Sequence, residues 1–217
     1  MEKVFKTVND TAVAEIIEKK SKFIANVSPV KSEEEAINFI SNIKKQFYDA
    51  NHNCYAYVIG ADVPTVRFSD DKEPSGTAGK PILDVLLGEK LENVVVVVTR
   101  YFGGTLLGTG GLVRAYGKAA KEGVFAAKIV EIDIYNKVTI ISDYFMSGKI
   151  QYEITKNNYT LVDTLYTDVV TFVIYVKYDL LNQFEKNIIN LTNNTVKFLK
   201  SEKNEYLKII DGKINIY

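Results

Sequence analysis

The stretch Val94–Tyr116, VVVVVTRYFGGTLLGTGGLVRAY, restricts this chain more than any other. Five consecutive valines, Val94 to Val98, have no polar face to offer water, so they read as a strand covered on both sides. Arg100, Tyr101 and Phe102 stand where that strand should end. Gly103, Gly104, Gly108, Gly110 and Gly111 then place five glycines in nine residues, and Leu112 to Tyr116 open a helix. Strand, glycine loop and helix is a layout that presents bare backbone N–H groups to an anion. Neither familiar phosphate motif is complete. Thr109-Gly110 occupy the Lys-Ser/Thr positions of a P-loop, and Val113 stands where a dinucleotide fingerprint needs its third glycine. The glycines therefore make either a functional anion surface or a tight packing of backbone on the valine strand.

Arg67, Arg100 and Arg114 are the side chains best suited to such a surface, because a guanidinium forks onto phosphate or carboxylate. Arg114 lies near the positive end of the helix, an unfavourable place for a cation unless an anion answers it. A bound phosphate would do so, and so would pairing with Asp70, Asp71 or Glu73. Tyr101 can stack on a base, and Phe102 suits the core. His52, the only histidine, sits at the mouth of a strand, where it is either a proton acceptor, a ligand or a residue bonded to nearby backbone. Cys54 shares its strand face but heads an apolar run, which favours an inert buried thiol. Asp70, Asp71 and Glu73, beside Ser75, Gly76 and Thr77, are what a Mg²⁺ ion would use; equally, Asp in a turn bonds its own backbone. Ser75 is not in a G-x-S-x-G elbow, which argues against a serine hydrolase.

Three long motifs carry a resemblance: Asn51-His52-Asn53-Cys54-Tyr55-Ala56-Tyr57, Arg67 through Gly79 (RFSDDKEPSGTAG), and TRYFGGTLLGTGGLVRAY. Together they resemble the YigZ/IMPACT family. The chain departs from the family pattern at Lys72, where glycine is usual, and at Phe47-Tyr48, where a His-Trp-like pair is usual. The resemblance implies an α+β protein of two domains. The first, residues 1–135, would be like domain 2 of ribosomal protein S5. The second, residues 136–217, would be a small ferredoxin-like domain. It also implies a non-catalytic regulator of translation or stress response, since eukaryotic IMPACT proteins restrain the amino-acid-starvation kinase by competing for its activator. The expected partner is RNA, the ribosome or a translation-associated protein. The expected surface comprises Arg100, Tyr101, Gly103, Gly104, Gly108, Gly110, Gly111 and Arg114, joined by His52, Arg67, Ser75, Gly76 and Thr77. No catalytic residue, cofactor or metal is assigned. Two alternatives stay open: a nucleotide- or phosphate-binding enzyme on the S5-like fold, and a protein–protein module built on the second half.

Composition agrees with a folded chain: 47% of residues are hydrophobic and the formal net charge is zero. Up to residue 136 there are 17 basic and 18 acidic residues, and after it 10 and 9, so neither half is a basic module with DNA sequence specificity. One cysteine permits no internal disulfide, and the absence of a leader or a membrane-length apolar run leads to an expected cytoplasmic location without membrane partners.

Local signals mark the elements. Residues 11–19 have no firm assignment, and 22–30 are β-rich. Ser32-Glu33-Glu34-Glu35 is a capping box opening a helix to about Phe47, with Ala36, Ile37, Ile40, Ile43 and Phe47 on its apolar side. Strands follow at 54–59 and 63–68, linked through Asp62, and Pro81 is expected at the first position of a helix ending at Gly88. The second half reads strand 136–143, helix 144–157, a hairpin 159–165/169–178, helix 180–191, and strands 196–201 and 206–210. That β-α-β-β-α-β order suggests the ferredoxin-like module.

Overall fold

The computed structural model describes residues 4–60, 63–200, 205–210 and 213–216. The chain divides into two compact units, the first ending at Glu131 and the second beginning at Ile132. The expected link at Asp62 and the strand end at Ser201 lie outside the described residues.

In the first unit the order is β1 Phe5–Val8, β2 Ala12–Glu18, β3 Ser21–Pro29, α1 Glu33–Gln46, β4 His52–Ile59, β5 Thr65–Ser69, α2 Gly79–Gly88, β6 Val94–Tyr101 and α3 Thr109–Ala126. Five strands form an antiparallel sheet in the order β2-β3-β6-β4-β5, with the valine strand in the centre. Alternation along β6 sends Val94, Val96 and Val98 to one face, where α2 and α3 lay Ile82, Leu86, Ala115, Tyr116 and Ala119. Val95 and Val97 turn to the other face, where α1 supplies Ala36, Ile40 and Ile43. All five valines are fully buried. Each contributes about 1.5–3 kcal/mol of burial before chain entropy is set against it. The central strands β3, β6 and β4 are buried on both faces although the sheet is antiparallel, because helices cover both sides.

Several local expectations need correction. Residues 12–18, which the sequence leaves without a firm assignment, are a strand. Ile37 is 54% exposed despite its place in the apolar pattern, because α1 buries a narrow stripe against a sheet already filled by valine. The α2 helix begins at Gly79, so Pro81 is its third residue; its missing N–H is still one of those a first turn leaves unpaired. The α3 helix begins at Thr109, since the Leu112 N–H already donates to the Gly108 carbonyl (2.9 Å), so Gly110 and Gly111 belong to its first turn.

The second unit is built on β7 Ile129–Ser142, α4 Tyr144–Lys156, β8 Thr160–Tyr166, β9 Val170–Lys177, α5 Leu181–Thr192 and β10 Lys197–Lys200. Its antiparallel order β10-β7-β9-β8 is the ferredoxin-like arrangement, extended by β11 Glu205–Ile210 and β12 Lys213–Ile216. Ile150 and Ile154 of α4 and Phe184 and Ile188 of α5 close its core over Val138, Ile140, Phe172 and Ile174. The molecule is thus α+β, an S5 domain 2-like unit followed by a ferredoxin-like one.

Candidate functional site: the glycine loop and its charged floor

Strand parity decides where the end of β6 points. Arg100 continues the face of Val96 and Val98 and is paired across the sheet with Phe23 on β3 and His52 on β4. It therefore enters the layer between sheet and helices and is 5% exposed. There its Nη1 donates to Glu73 Oε1 at 2.6 Å. The same oxygen accepts from the Tyr116 hydroxyl at 2.8 Å, and His52 Nε2 lies 3.7 Å away. The guanidinium also sits over the rings of Phe23 and Phe102 at 5.5 and 5.6 Å. Its Nε is buried with no hydrogen-bond partner among the described residues. His52 Nδ1 is 2.9 Å from the Asp71 carbonyl, which can only accept, so Nδ1 carries a proton and Nε2 remains on the side of Glu73.

The acidic loop is organised by its own carboxylates, which do not converge on one point. Asp70 accepts backbone N–H groups of Gly76, Ala78 and Gly79 at 2.8–3.0 Å. Asp71 accepts the Asn53 N–H at 2.7 Å and pairs with Lys44 at 3.3 Å. Glu73 holds Arg100. Among the described residues no group of three His, Cys, Asp or Glu could hold a metal ion. Asp71 and Lys72 have φ of +40° and +72°, so the turn has a left-handed geometry at both residues. Gly79 lets α2 approach closely: a Cβ there would lie 2.7 Å from the Ser69 backbone.

Gly103 has a similar role, since its Cβ would meet the Lys20 backbone at 2.0 Å, while its N–H donates to Ser21 Oγ at 3.1 Å. Gly108, at φ +71°, is the N-cap of α3 and supplies no side-chain cap. The loop thus combines both readings of its glycines: packing at Gly103, and an uncapped helix start at Gly108.

The expected site residues are distributed as follows. Arg100, His52, Gly108 and Glu73 line one cavity of about 510 Å³, with Pro74, Phe102, Leu106, Leu107, Thr109 and Leu112. Arg114 is exposed, makes no ion pair among the described residues, and lines a second cavity of about 220 Å³ with Glu18, Lys19, Leu107, Gly111 and Lys118. Pairing of Arg114 with Asp70, Asp71 or Glu73 is therefore replaced by the Arg100–Glu73 pair. Tyr101, on the opposite face of β6, donates to Asp49 at 2.8 Å, and that bond holds its hydroxyl above the usual range. Arg67 is exposed on the edge strand β5, bonded to its neighbour's carbonyl, and lines neither cavity. Ser75 and Gly76 are exposed, and Thr77 is buried with its hydroxyl on the Pro74 carbonyl. Gly104, at φ +80°, and Gly110 line neither cavity.

Glu73 as the partner of Arg100, Tyr116 and the leucine walls were not anticipated. The signal for Tyr116 is the helical spacing Leu112, Ala115, Tyr116, Ala119, Ala120, which puts it on the sheet-facing stripe. Cys54 lies under this cluster, its Sγ 3.0 Å from the Asp70 carbonyl and 3.4 Å from the Tyr116 hydroxyl. Burial pushes its thiol up to about 12, with the hydrogen bond to Tyr116 opposing, and burial also pushes the Tyr116 hydroxyl upward.

Fold and site together define an α+β two-unit protein whose first unit closes a glycine loop over a buried Arg–Glu pair. Comparison with known proteins gives this class its family. A model described as the Impact N-terminal domain matches residues 19–124, and one described as a domain of unknown function (DUF1949) matches residues 140–195. The chain is 43% identical over 187 residues to the IMPACT family member YvyE of Bacillus subtilis, covering 86% of each. It is 49% identical over 109 residues to the IMPACT family member YigZ of Escherichia coli, covering 49% of this chain and 52% of that one. Protein IMPACT of Oryctolagus cuniculus is 33% identical over 96 residues, 43% of this chain and 30% of that protein. A crystal structure described as that of an hypothetical protein superposes with a TM-score of 0.59 at 28% identity, over 94% of this chain and all of that one. The chain belongs to the IMPACT family. No helix among its described residues is long and apolar enough to cross a membrane.

Proposed function

We propose that this protein is a non-catalytic regulator of translation or stress response that docks on RNA, or on the RNA of a ribosome, through the outer face of α3 and the neighbouring β2–β3 turn. The observation that carries this reading is the basic strip itself. Arg114 and Lys118, four residues apart on α3, line one cavity with Lys19, and Glu18 is the only carboxylate there. A Cβ at Gly110 would lie 3.5 Å from Arg114 Nη1, so the guanidinium runs back toward the positive end of its own helix. Like charges at this spacing cost about 0.2–0.5 kcal/mol, and a cation near a helix N-terminus costs a similar amount. Folding gains nothing from the arrangement, whereas a phosphate backbone would neutralise it. The family resemblance supports the link to translation.

Metal-assisted phosphoryl chemistry is a weaker reading, because Asp70, Asp71 and Glu73 are each engaged with separate partners. The test is co-sedimentation of the full chain with ribosomes across a salt series, for wild type and an Arg114→Ala/Lys118→Ala variant. Salt-sensitive binding is expected, with the log–log salt slope shallower by about 1.4 in the variant if both cations meet single-stranded phosphates. Binding that is unchanged in the variant, or absent at low salt, refutes this surface.

A further inference from the structure

The larger cavity, on the Arg100 side of Leu107, is not accounted for by a surface that docks RNA on α3. We propose that it binds a small organic anion, with a carboxylate or phosphate head group on an apolar or aromatic body. Its volume, about 510 Å³, falls within the range of small-molecule sites. Its walls are the side chains of Pro74, Phe102, Leu106, Leu107 and Leu112, which suit an apolar body. Its other end holds Arg100, Glu73 and His52 beside the start of α3.

Charge at that end selects the head group. The guanidinium of Arg100 and the carboxylate of Glu73 cancel, and Glu73 already accepts from both Arg100 and Tyr116. The uncapped start of α3 adds about half a positive charge. The end is therefore positive on balance, which favours an anion and disfavours an amine. A second, independent observation points the same way. Arg100 lines this cavity and is 95% buried; its Nη1 donates to Glu73, its Nη2 to Ser21 Oγ at 3.5 Å, and its Nε has no acceptor among the described residues. The Nε has no surface open to the cavity, so an oxygen brought by a ligand would reach it only as the Arg100 side chain turns toward the cavity, and that turn would remove the cost of a buried unpaired donor.

The test is a titration of the isotopically labelled full chain, followed through its backbone amide signals, with phenylacetate and phenyl phosphate as probes. The neutral 2-phenylethanol is the control. Saturable shifts at Thr109, Gly110, His52 and Arg100 with either anion, and none with the alcohol, are expected; the tighter anion identifies the head group. Thr109→Asp is the discriminating variant. A carboxylate at the first position of α3 is favourable to the helix dipole, so the variant keeps or gains thermal stability, yet it should weaken anion binding by at least about tenfold. No saturable shift up to about 10 mM, equal shifts with the alcohol, or unchanged affinity in Thr109→Asp each overturns the proposal. The ribosome experiment reads different side chains, so either result can fail without the other.

Discussion

Replacing Glu73 by Gln tests the logic of the site most directly. The change keeps the shape but removes the charge opposite Arg100, whose side chain is only 7% exposed. Breaking one partner of a buried ion pair costs about 3–5 kcal/mol, because the remaining charge is left largely desolvated without its counter-ion. Arg100→Met should cost a similar amount by stranding Glu73, which would keep the Tyr116 hydroxyl at 2.8 Å and His52 Nε2 at 3.7 Å. The double variant Arg100→Met/Glu73→Met should cost far less than the sum, because it removes both charges and leaves Phe23 and Phe102 to pack on an apolar side chain. Urea unfolding of the first unit can be followed through Cys54, the only cysteine, which is fully buried there. With a slope of about 1.5–2 kcal/mol/M, Glu73→Gln should lower the midpoint by about 1.5–3 M. The reasoning is refuted if Glu73→Gln costs less than about 1 kcal/mol, or if the single costs simply add in the double variant.

Two glycines should respond in opposite directions. Gly103→Ala should destabilise by about 1–3 kcal/mol or more, because its Cβ would meet the Lys20 backbone at 2.0 Å. Gly117→Ala, inside α3 with nothing within 4 Å, should stabilise by about 0.5–1 kcal/mol, both read by thermal melting. Cys54 should resist iodoacetamide at pH 8 in the native chain and react quickly in denaturant. Its folded pKa, raised by burial to about 12, stands above the ordinary value of 9.0. Its contribution to stability is therefore complete below pH 9 and is lost as the pH rises toward 12, so urea midpoints should fall over that window.

Much of the fold is legible in local chemistry. Ser32 Oγ accepts the Glu35 N–H at 3.2 Å, as the capping box requires, although Glu35 reaches the Lys31 N–H rather than that of Ser32. The strand and helix periods of the second half lead to the β10-β7-β9-β8 order, since short turns and right-handed crossovers leave few topologies open. The site is less legible. The three arginines look equivalent along the chain, yet Arg100 is interior, Arg114 is on the helix surface and Arg67 is on the sheet edge.

The sequence alone determined that Val94–Val98 would be a strand without a wet face, that five glycines would bring backbone close at its end, and that helices would start near Ser32 and the glycine loop. These outcomes depend on side-chain periodicity and local backbone freedom, both present in any short window of the chain. Only the tertiary structure decided that Glu73, 27 residues away, meets Arg100 rather than Arg114. It also decided that Asp70, Asp71 and Glu73 part company, and that Ile37 faces water. Which partner a charge finds depends on the face its strand or helix turns inward and on what the opposing layer has already filled, and neither is defined until the layers pack.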